Sequence, residues 1–301
     1  GCHLWFAVGT PSPEQAPTTE AKHLAEQAQL QAQRNREYYA KNRELHRSVV
    51  LRLTEQIRNC ILVHQQPNAR IARSGHLDPV RVWRAPLLDD SRVFRCAEEE
   101  NQPAFTVDLL LDASASRLHC QEVIAAQGAI LAESLANCRI PVRVSSFCSL
   151  RGYTVLRVLK KFTDKNGQNI HQYFASGWNR DGLALRAAGD LIAFDPGPAP
   201  RHLLILLTDA SPNDSRRVPP SPENPLGRDY GGQAGVDDAA AEVRALRRKG
   251  VRVSAVFMGE NASIPAAERI YGKDLARIRG MDQLARAAGR LIQNEIRALG
   301  D

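Results

Sequence analysis

Two nearly continuous apolar runs, each closing on an aspartate, constrain this chain more than any other feature. Phe105–Leu111 leads into Asp112, and His202–Leu207 leads through Thr208 into Asp209. Runs with so little polar alternation read as strands buried on both faces, as in a parallel sheet covered by helices on either side. The flanking pattern alternates accordingly. Leu118–Leu135, rich in Ala, Ile, Val and Leu, predicts a helix, and Ile140–Phe147 and Tyr153–Leu159 predict neighbouring strands. Asp181–Ala193 predicts a second helix, and Val236, Ala239, Ala240, Val243 and Leu246 mark a third by their spacing. Val251–Met258 predicts a further strand and Met281–Leu299 a closing helix. The expected fold class is α/β, a doubly wound, mostly parallel sheet over residues 105–301. Ligands of such sheets sit outside the carboxyl ends of the strands, which is where Asp112 and Asp209 fall.

The N-terminal third reads differently. Residues 1–19 are expected to be a linker or tail. Gly1–Val8 is apolar but too short for the core of a signal peptide, and 9–19 is rich in Pro and Thr. A start at Gly1 rather than Met suggests trimming or an upstream beginning. Residues 20–104 are expected to be a helical extension and connector. Glu20–Leu62 contains no Gly or Pro, which predicts one long helix or a helical hairpin. Val49, Val50, Leu53, Ile57 and Ile61 give it one apolar face. Pro67, Gly75, Pro79 and Pro86 then break helices. Val80 and Val82 suggest one short strand, Val93 and Phe94 another, with a turn at Asp89–Asp90.

Composition removes several function classes. Of the net charge of +7, residues 20–95 carry most, with 14 basic against 8 acidic side chains. The basic residues are interleaved with acids and Gln and show no aromatic stacking pattern, so nucleic-acid binding is not expected. No apolar run is long enough to span a bilayer, and the expected location is cytoplasmic. The six cysteines include no CxxC pair, which argues against a zinc site or disulfide framework and for reduced, mostly buried thiols.

The chemistry gathers in Asp112-Ala113-Ser114-Ala115-Ser116, where a buried strand delivers a carboxylate and two hydroxyls follow at alternate positions. Carboxylate and hydroxyl oxygens are hard ligands suited to Mg²⁺, Mn²⁺ or Ca²⁺. The same residues taken alone would also serve as helix caps. Between the two strand-end acids lies a polar loop entering a helix, Gly177-Trp178-Asn179-Arg180-Asp181-Gly182, so three loops can converge above the sheet.

This order resembles the metal-ion-dependent adhesion site (MIDAS) of von Willebrand factor A (VWA) domains, over about residues 105–300. More narrowly it resembles the CobT/NorD type, which includes cobaltochelatase CobT-related and nitric oxide reductase activation proteins. The narrower likeness rests on Trp178–Gly182, on Ser211-Pro212-Asn213-Asp214 after Asp209, and on Gly227–Gly232. Phe147–Tyr153 gives it weaker support.

The resemblance implies a VWA, Rossmann-like fold and a set of roles. Asp112, Ser114 and Ser116 would be first-loop ligands of a divalent metal, Mg²⁺ by default. Asp209 would be the third-loop carboxylate, acting through water. Asn179 stands where the second-loop Thr is expected, and Ala210 stands where a Gly usually follows the third-loop acid. Asp181 is the alternative second-loop oxygen donor, or else caps the helix after it. Asn213 and Asp214 read as turn residues that could instead support the ligands from behind or face a partner. Arg151 and Arg180 read as solvated side chains that could meet acidic partner groups.

No P-loop and no G-x-S-x-G elbow is present, and the close pair His119-Cys120 is read as packing rather than as a nucleophilic site. Glu98–Glu100 reads as a solvated loop. The chain is therefore expected not to be an enzyme by itself. The resemblance implies an adaptor that works with a MoxR-type AAA+ ATPase to remodel, activate or load a client metalloenzyme. The alternative it allows is a subunit of a chelatase inserting a metal into a tetrapyrrole, although no acidic or His-rich delivery segment is evident.

Overall fold

The computed structural model describes residues 2–9, 12–64, 69–97, 105–220 and 226–300. The chain opens with β1 (His3–Val8), α1 (Thr19–Lys41) and α2 (Arg43–His64). A small antiparallel sheet follows, made of β2 (Ala69–Ala72), β3 (His76–Leu77) and, after the short α3 (Arg84–Leu88), β4 (Phe94–Ala97). The remainder alternates: β5 (Thr106–Asp112), α4 (Gln121–Asn137), β6 (Val142–Leu150), β7 (Tyr153–Lys160), α5 (Asp181–Phe194) and β8 (His202–Thr208). It continues with β9 (Asp214–Val218), β10 (Arg228–Tyr230), α6 (Gly232–Arg248), β11 (Val251–Phe257), α7 (Ile264–Tyr271), β12 (Leu275–Arg277) and α8 (Met281–Gly300).

Seven strands form the central sheet in the order β1-β7-β6-β5-β8-β11-β12. Every pairing is parallel except β6 with β7. The two strands with the strongest apolar runs, β5 and β8, pair with each other at its centre and are buried along almost their whole lengths. One face packs on α2, α4 and α8, through residues such as Leu53, Ile57, Ile130, Leu135, Leu284 and Ile292. The other packs on α5, α6 and α7, through Leu185, Ile192, Val243, Leu246 and Ile270. The expected α/β class and doubly wound, mostly parallel sheet are therefore observed, with the N-terminal helices in place.

Those helices join the core of the sheet. The predicted face of α2 is buried at Val49, Val50, Leu53 and Ile57, with Ile61 partly covered. The stretch from Glu20 is neither one helix nor a hairpin. It is interrupted at Asn42, and α1 and α2 each lie against α4, meeting one another where Tyr38 and Tyr39 contact His46. α1 presents Ala25, Ala28 and Ala32, and buried Asn35 donates to the carbonyls of His171 at 2.8 Å and Tyr173 at 2.9 Å.

Several local expectations are corrected. Residues 3–8, placed in a linker or tail, are the edge strand of the central sheet, pairing with β7. An edge strand half open to solvent needs no marked periodicity, and its partner lies far along the chain. Val80–Val82 is not a strand but a turn, in which the Asp78 carboxylate accepts the Val80 amide at 3.1 Å. The helix expected from Leu118 starts at Gln121, because Ala115–Cys120 forms a 3₁₀ turn. β9, β10, α7 and β12 were not foreseen, being too short to carry a period. Glu98–Glu100 lies outside the described residues.

Candidate metal centre

Asp112 is the last residue of β5, so the sheet itself delivers its carboxylate to the carboxyl edge. Its side chain is wholly buried. Oδ1 accepts the Ser114 amide at 3.0 Å, which folds the following turn back on the strand, while Oδ2 is buried with no partner. Ser114 precedes the 3₁₀ turn without capping it through its side chain. Its hydroxyl lies 2.9 Å from that of Ser116, and Ser116 Oγ donates to Asp209 Oδ2 at 2.8 Å. The first and third loops thus meet through the two serine hydroxyls and Asp209.

The middle loop is stitched to both. Ala115 N donates to the Gly177 carbonyl at 2.9 Å, and Ser176 N donates to the Ala113 carbonyl at 2.7 Å. Gly177 has φ +67, and a Cβ there would lie 2.4 Å from the Ser149 carbonyl, so the approach requires glycine. Asn179 exchanges backbone hydrogen bonds with Asn213 at 3.0 and 2.9 Å, which ties this loop to the one after β8.

The two second-loop candidates now differ. Asn179 Oδ1 accepts the Asn213 amide at 3.1 Å, while its Nδ2 is buried without a partner. The side chain therefore turns its oxygen away from free space and leaves a donor unused. Asp181 is fully buried, and neither carboxylate oxygen has a partner. It opens α5 but makes no capping bond, which removes the capping alternative. Gly182 beside it leaves no room for a side chain, since a Cβ would fall 2.1 Å from Asp238 Oδ2. Asp238 also accepts from the Tyr230 hydroxyl at 2.9 Å, and that hydroxyl accepts the Gly182 amide at 3.3 Å.

Burial without compensation leaves its mark on the acids. The Asp112 carboxyl is pushed up to about 7, first by desolvation and then by the Asp209 charge. Asp181 is held well above the ordinary carboxylate range, by desolvation first and then by Asp112, Asp209 and Asp238. Crowded, desolvated carboxylates with unused lone pairs demand a counter-charge. Among the described residues, no three His, Cys, Asp or Glu side chains converge into a metal cage of their own. A cation here would draw on the serine hydroxyls as well, and that donor set of hard oxygens fits Mg²⁺, Mn²⁺ or Ca²⁺.

Arg117 was not singled out from the sequence, although it directly follows the motif. It is buried, and its Nη2 donates to Asp209 Oδ2 in an ion pair with both side chains 7% exposed. Its Nε donates to Ser116 Oγ at 3.3 Å and its Nη1 to the Met258 carbonyl at 3.4 Å. Asp209 Oδ1 accepts the Ser211 amide at 3.2 Å, so both of its oxygens are satisfied. Tyr173, also unforeseen, is fully buried and donates from its hydroxyl to the Asp112 carbonyl.

Other expectations are revised by position. Arg180 is not a solvated arginine. It is buried, pairs with Asp214 at 2.9 Å and stacks 4.1 Å from the centroid of Tyr230. Asn213 and Asp214 accordingly brace the loops instead of forming a free turn. Arg151 is exposed and pairs with Glu20 at 2.8 Å. His119 is exposed rather than packed in the core. Cys2, Cys60, Cys120, Cys138 and Cys148 are free thiols, and of these five Cys60 is buried and the others are half-buried. Ala210 has φ +52, the left-handed region that explains why glycine suits the position after the third-loop acid. An apolar cavity of about 400 Å³ lies between α1 and the sheet, lined by residues including Trp5, Leu24 and Phe147, and none of the candidate ligands borders it.

No family profile matches the chain. No curated protein matches it either. Among solved structures, similarity extends to the type V pili tip protein Mfa5 of Porphyromonas gingivalis. Its three N-terminal domains share 12% identity at a TM-score of 0.44, over 62% of this chain and 48% of that one. Its vWF domain alone gives 11% and 0.42, over 66% and 95%. The manganese-loaded TRAP protein of Plasmodium vivax gives 14% and 0.39, over 67% and 73%. Proximal thread matrix protein 1 of the mussel byssus, solved with a zinc-occupied MIDAS motif, gives 14% and 0.43, over 65% and 46%. The chain thus spans about half the length of the three-domain Mfa5 and mussel structures.

Proposed function

We propose that this chain is a metal-dependent protein-binding module of the VWA type, in which a divalent cation at the sheet edge receives an acidic side chain from a partner. One observation carries the reading. Asp112 Oδ2 and both Asp181 oxygens are buried and unpartnered, the Asp112 charge repels Asp181, and the paired hydroxyls of Ser114 and Ser116 follow in the loop after Asp112. Such an arrangement is costly unless a cation completes it. Asp112, Ser114, Ser116 and Asp181 would hold the metal, with Asp209 contacting it indirectly and Asn179 Nδ2 free to donate to a metal-bound water or an incoming carboxylate. When bound, the cation supplies an open coordination position for a hard anionic oxygen. Ser116 lies at the solvent-exposed end of this group, which gives a partner a way in.

The motif likeness to the CobT/NorD type supports the identity of the partner. It is a MoxR-type AAA+ ATPase, and the pair remodels, activates or loads metal or cofactor into a client metalloenzyme. The ATPase provides the work, and this chain provides the grip. The test is co-purification of tagged chain with the ATPase and client in Mg²⁺, repeated with EDTA and with Asp112→Ala. Capture that depends on metal and on Asp112 is expected. Capture that is indifferent to both would refute metal-mediated docking. Metal insertion into a tetrapyrrole by the reconstituted complex would favour the chelatase alternative.

A further inference from the structure

The three acids of the site are not in the same condition. Asp112 and Asp181 keep bare, buried oxygens. Asp209 keeps none, because Ser211 N, Ser116 Oγ and Arg117 Nη2 take up its carboxylate. Arg117 also reaches Ser116 Oγ through Nε. One guanidinium therefore occupies two of the groups from which a metal ligand set would be built. Its remaining side-chain hydrogen bond goes to the Met258 carbonyl at 3.4 Å. Its planar fork is never deprotonated, so the positive charge it brings is permanent.

We infer that Arg117 is a built-in counter-cation that competes with the metal and keeps the metal-free state intact. The guanidinium offsets part of the acidic charge that Asp112, Asp181 and Asp209 would present to a divalent ion. That ion must enter against the repulsion of Arg117, or displace it from Asp209. The affinity is thereby held down, and occupancy becomes responsive to the supply of metal and of an acidic partner group. This inference rests on the metal reading of the site given above.

The experiment measures Mn²⁺ binding to the full chain by electron paramagnetic resonance and calorimetry, with Mg²⁺ in competition and thermal melts in EDTA alongside. Arg117→Met and Arg117→Gln remove the charge, and Arg117→Lys keeps it. Both neutral variants are expected to bind Mn²⁺ roughly ten- to hundredfold more tightly than wild type, while the lysine variant stays close to wild type. The neutral variants are also expected to melt at lower temperature in EDTA and to recover in metal. Unchanged or weaker binding in both neutral variants, with wild type still binding through Asp112, would overturn the competition while leaving the metal site standing. Should neither wild type nor the neutral variants bind Mn²⁺ at millimolar concentration, the metal site and the competition fall together. A lysine variant that binds as tightly as the neutral ones would show that shape, not charge, is responsible, and would also overturn the inference.

Discussion

Replacing Asp181 by alanine should make the metal-free protein more stable, and the size of the gain follows from its surroundings. The side chain is fully buried, and neither oxygen has a hydrogen-bond partner. An unsatisfied buried polar group costs about 1–3 kcal/mol, and more when charged. Asp112, Asp209 and Asp238 add repulsion. Against this, an acid in the first turn of α5 gains about 0.3–1 kcal/mol from the helix dipole. Asp181→Ala should therefore stabilise the chain in EDTA by about 1–2 kcal/mol, a rise in Tm of about 2–5 °C. Metal reverses the order. At free Mg²⁺ about a hundredfold above Kd, wild type should gain about 2.7 kcal/mol, and the variant should gain little. Thermal melts of both proteins in EDTA and across a Mg²⁺ titration provide the assay. The reasoning fails if Asp181→Ala melts lower in EDTA, or if its curve shifts with Mg²⁺ as far as that of wild type.

Three further outcomes are expected. The folded-state Asp112 carboxyl, pushed from 3.8 to about 7, binds its proton more tightly than in the unfolded chain, as does Asp108, pushed to about 6 by burial despite its pair with Arg143. Metal-free stability should therefore fall as pH rises from 4 to 7, by up to about 4 kcal/mol for Asp112, and saturating Mg²⁺ should flatten that slope in denaturant titrations. Arg180→Met strips a buried carboxylate, Asp214, of its counter-ion and should cost about 3–5 kcal/mol in urea unfolding, with weaker metal binding as the Asn179–Asn213 bridge loosens. Ala210→Gly relieves a left-handed φ of +52, and a gain of about 0.5–1 kcal/mol is expected by thermal melt, with Mg²⁺ affinity unchanged.

How much of this was legible beforehand depends on the range of each signal. β5 and β8 could be read directly, because burial on both faces writes itself as a nearly continuous apolar run. Asp112, Ser114, Ser116 and Asp209 could be placed at the sheet edge for the same reason, and the structure joins them through the serine hydroxyls. The face of α2 could be read from its period. These are properties of short windows, in which each residue's partner lies within a turn or a pleat.

What the tertiary structure alone decided involves partners far apart in the chain. β1 is a strand because β7 offers it an edge, although residues 3–8 lack a pattern of their own. Arg180 is buried because Asp214 of β9 and Tyr230 of β10 arrive from more than thirty residues later in the chain. As letters, Asn179 held the second-loop position and Asp181 stood as the alternative donor. They separate only when the Asn213 amide takes the oxygen of one and nothing takes the oxygens of the other. Arg117 likewise sits beside the motif in sequence, yet its hold on Asp209 exists only because β5 and β8 end side by side. The sequence alone therefore determined the sheet and the donor types at its edge, since periodicity and residue chemistry are local. Which donors remain free for a cation was decided by the fold, since hydrogen-bond satisfaction is settled only when distant segments meet.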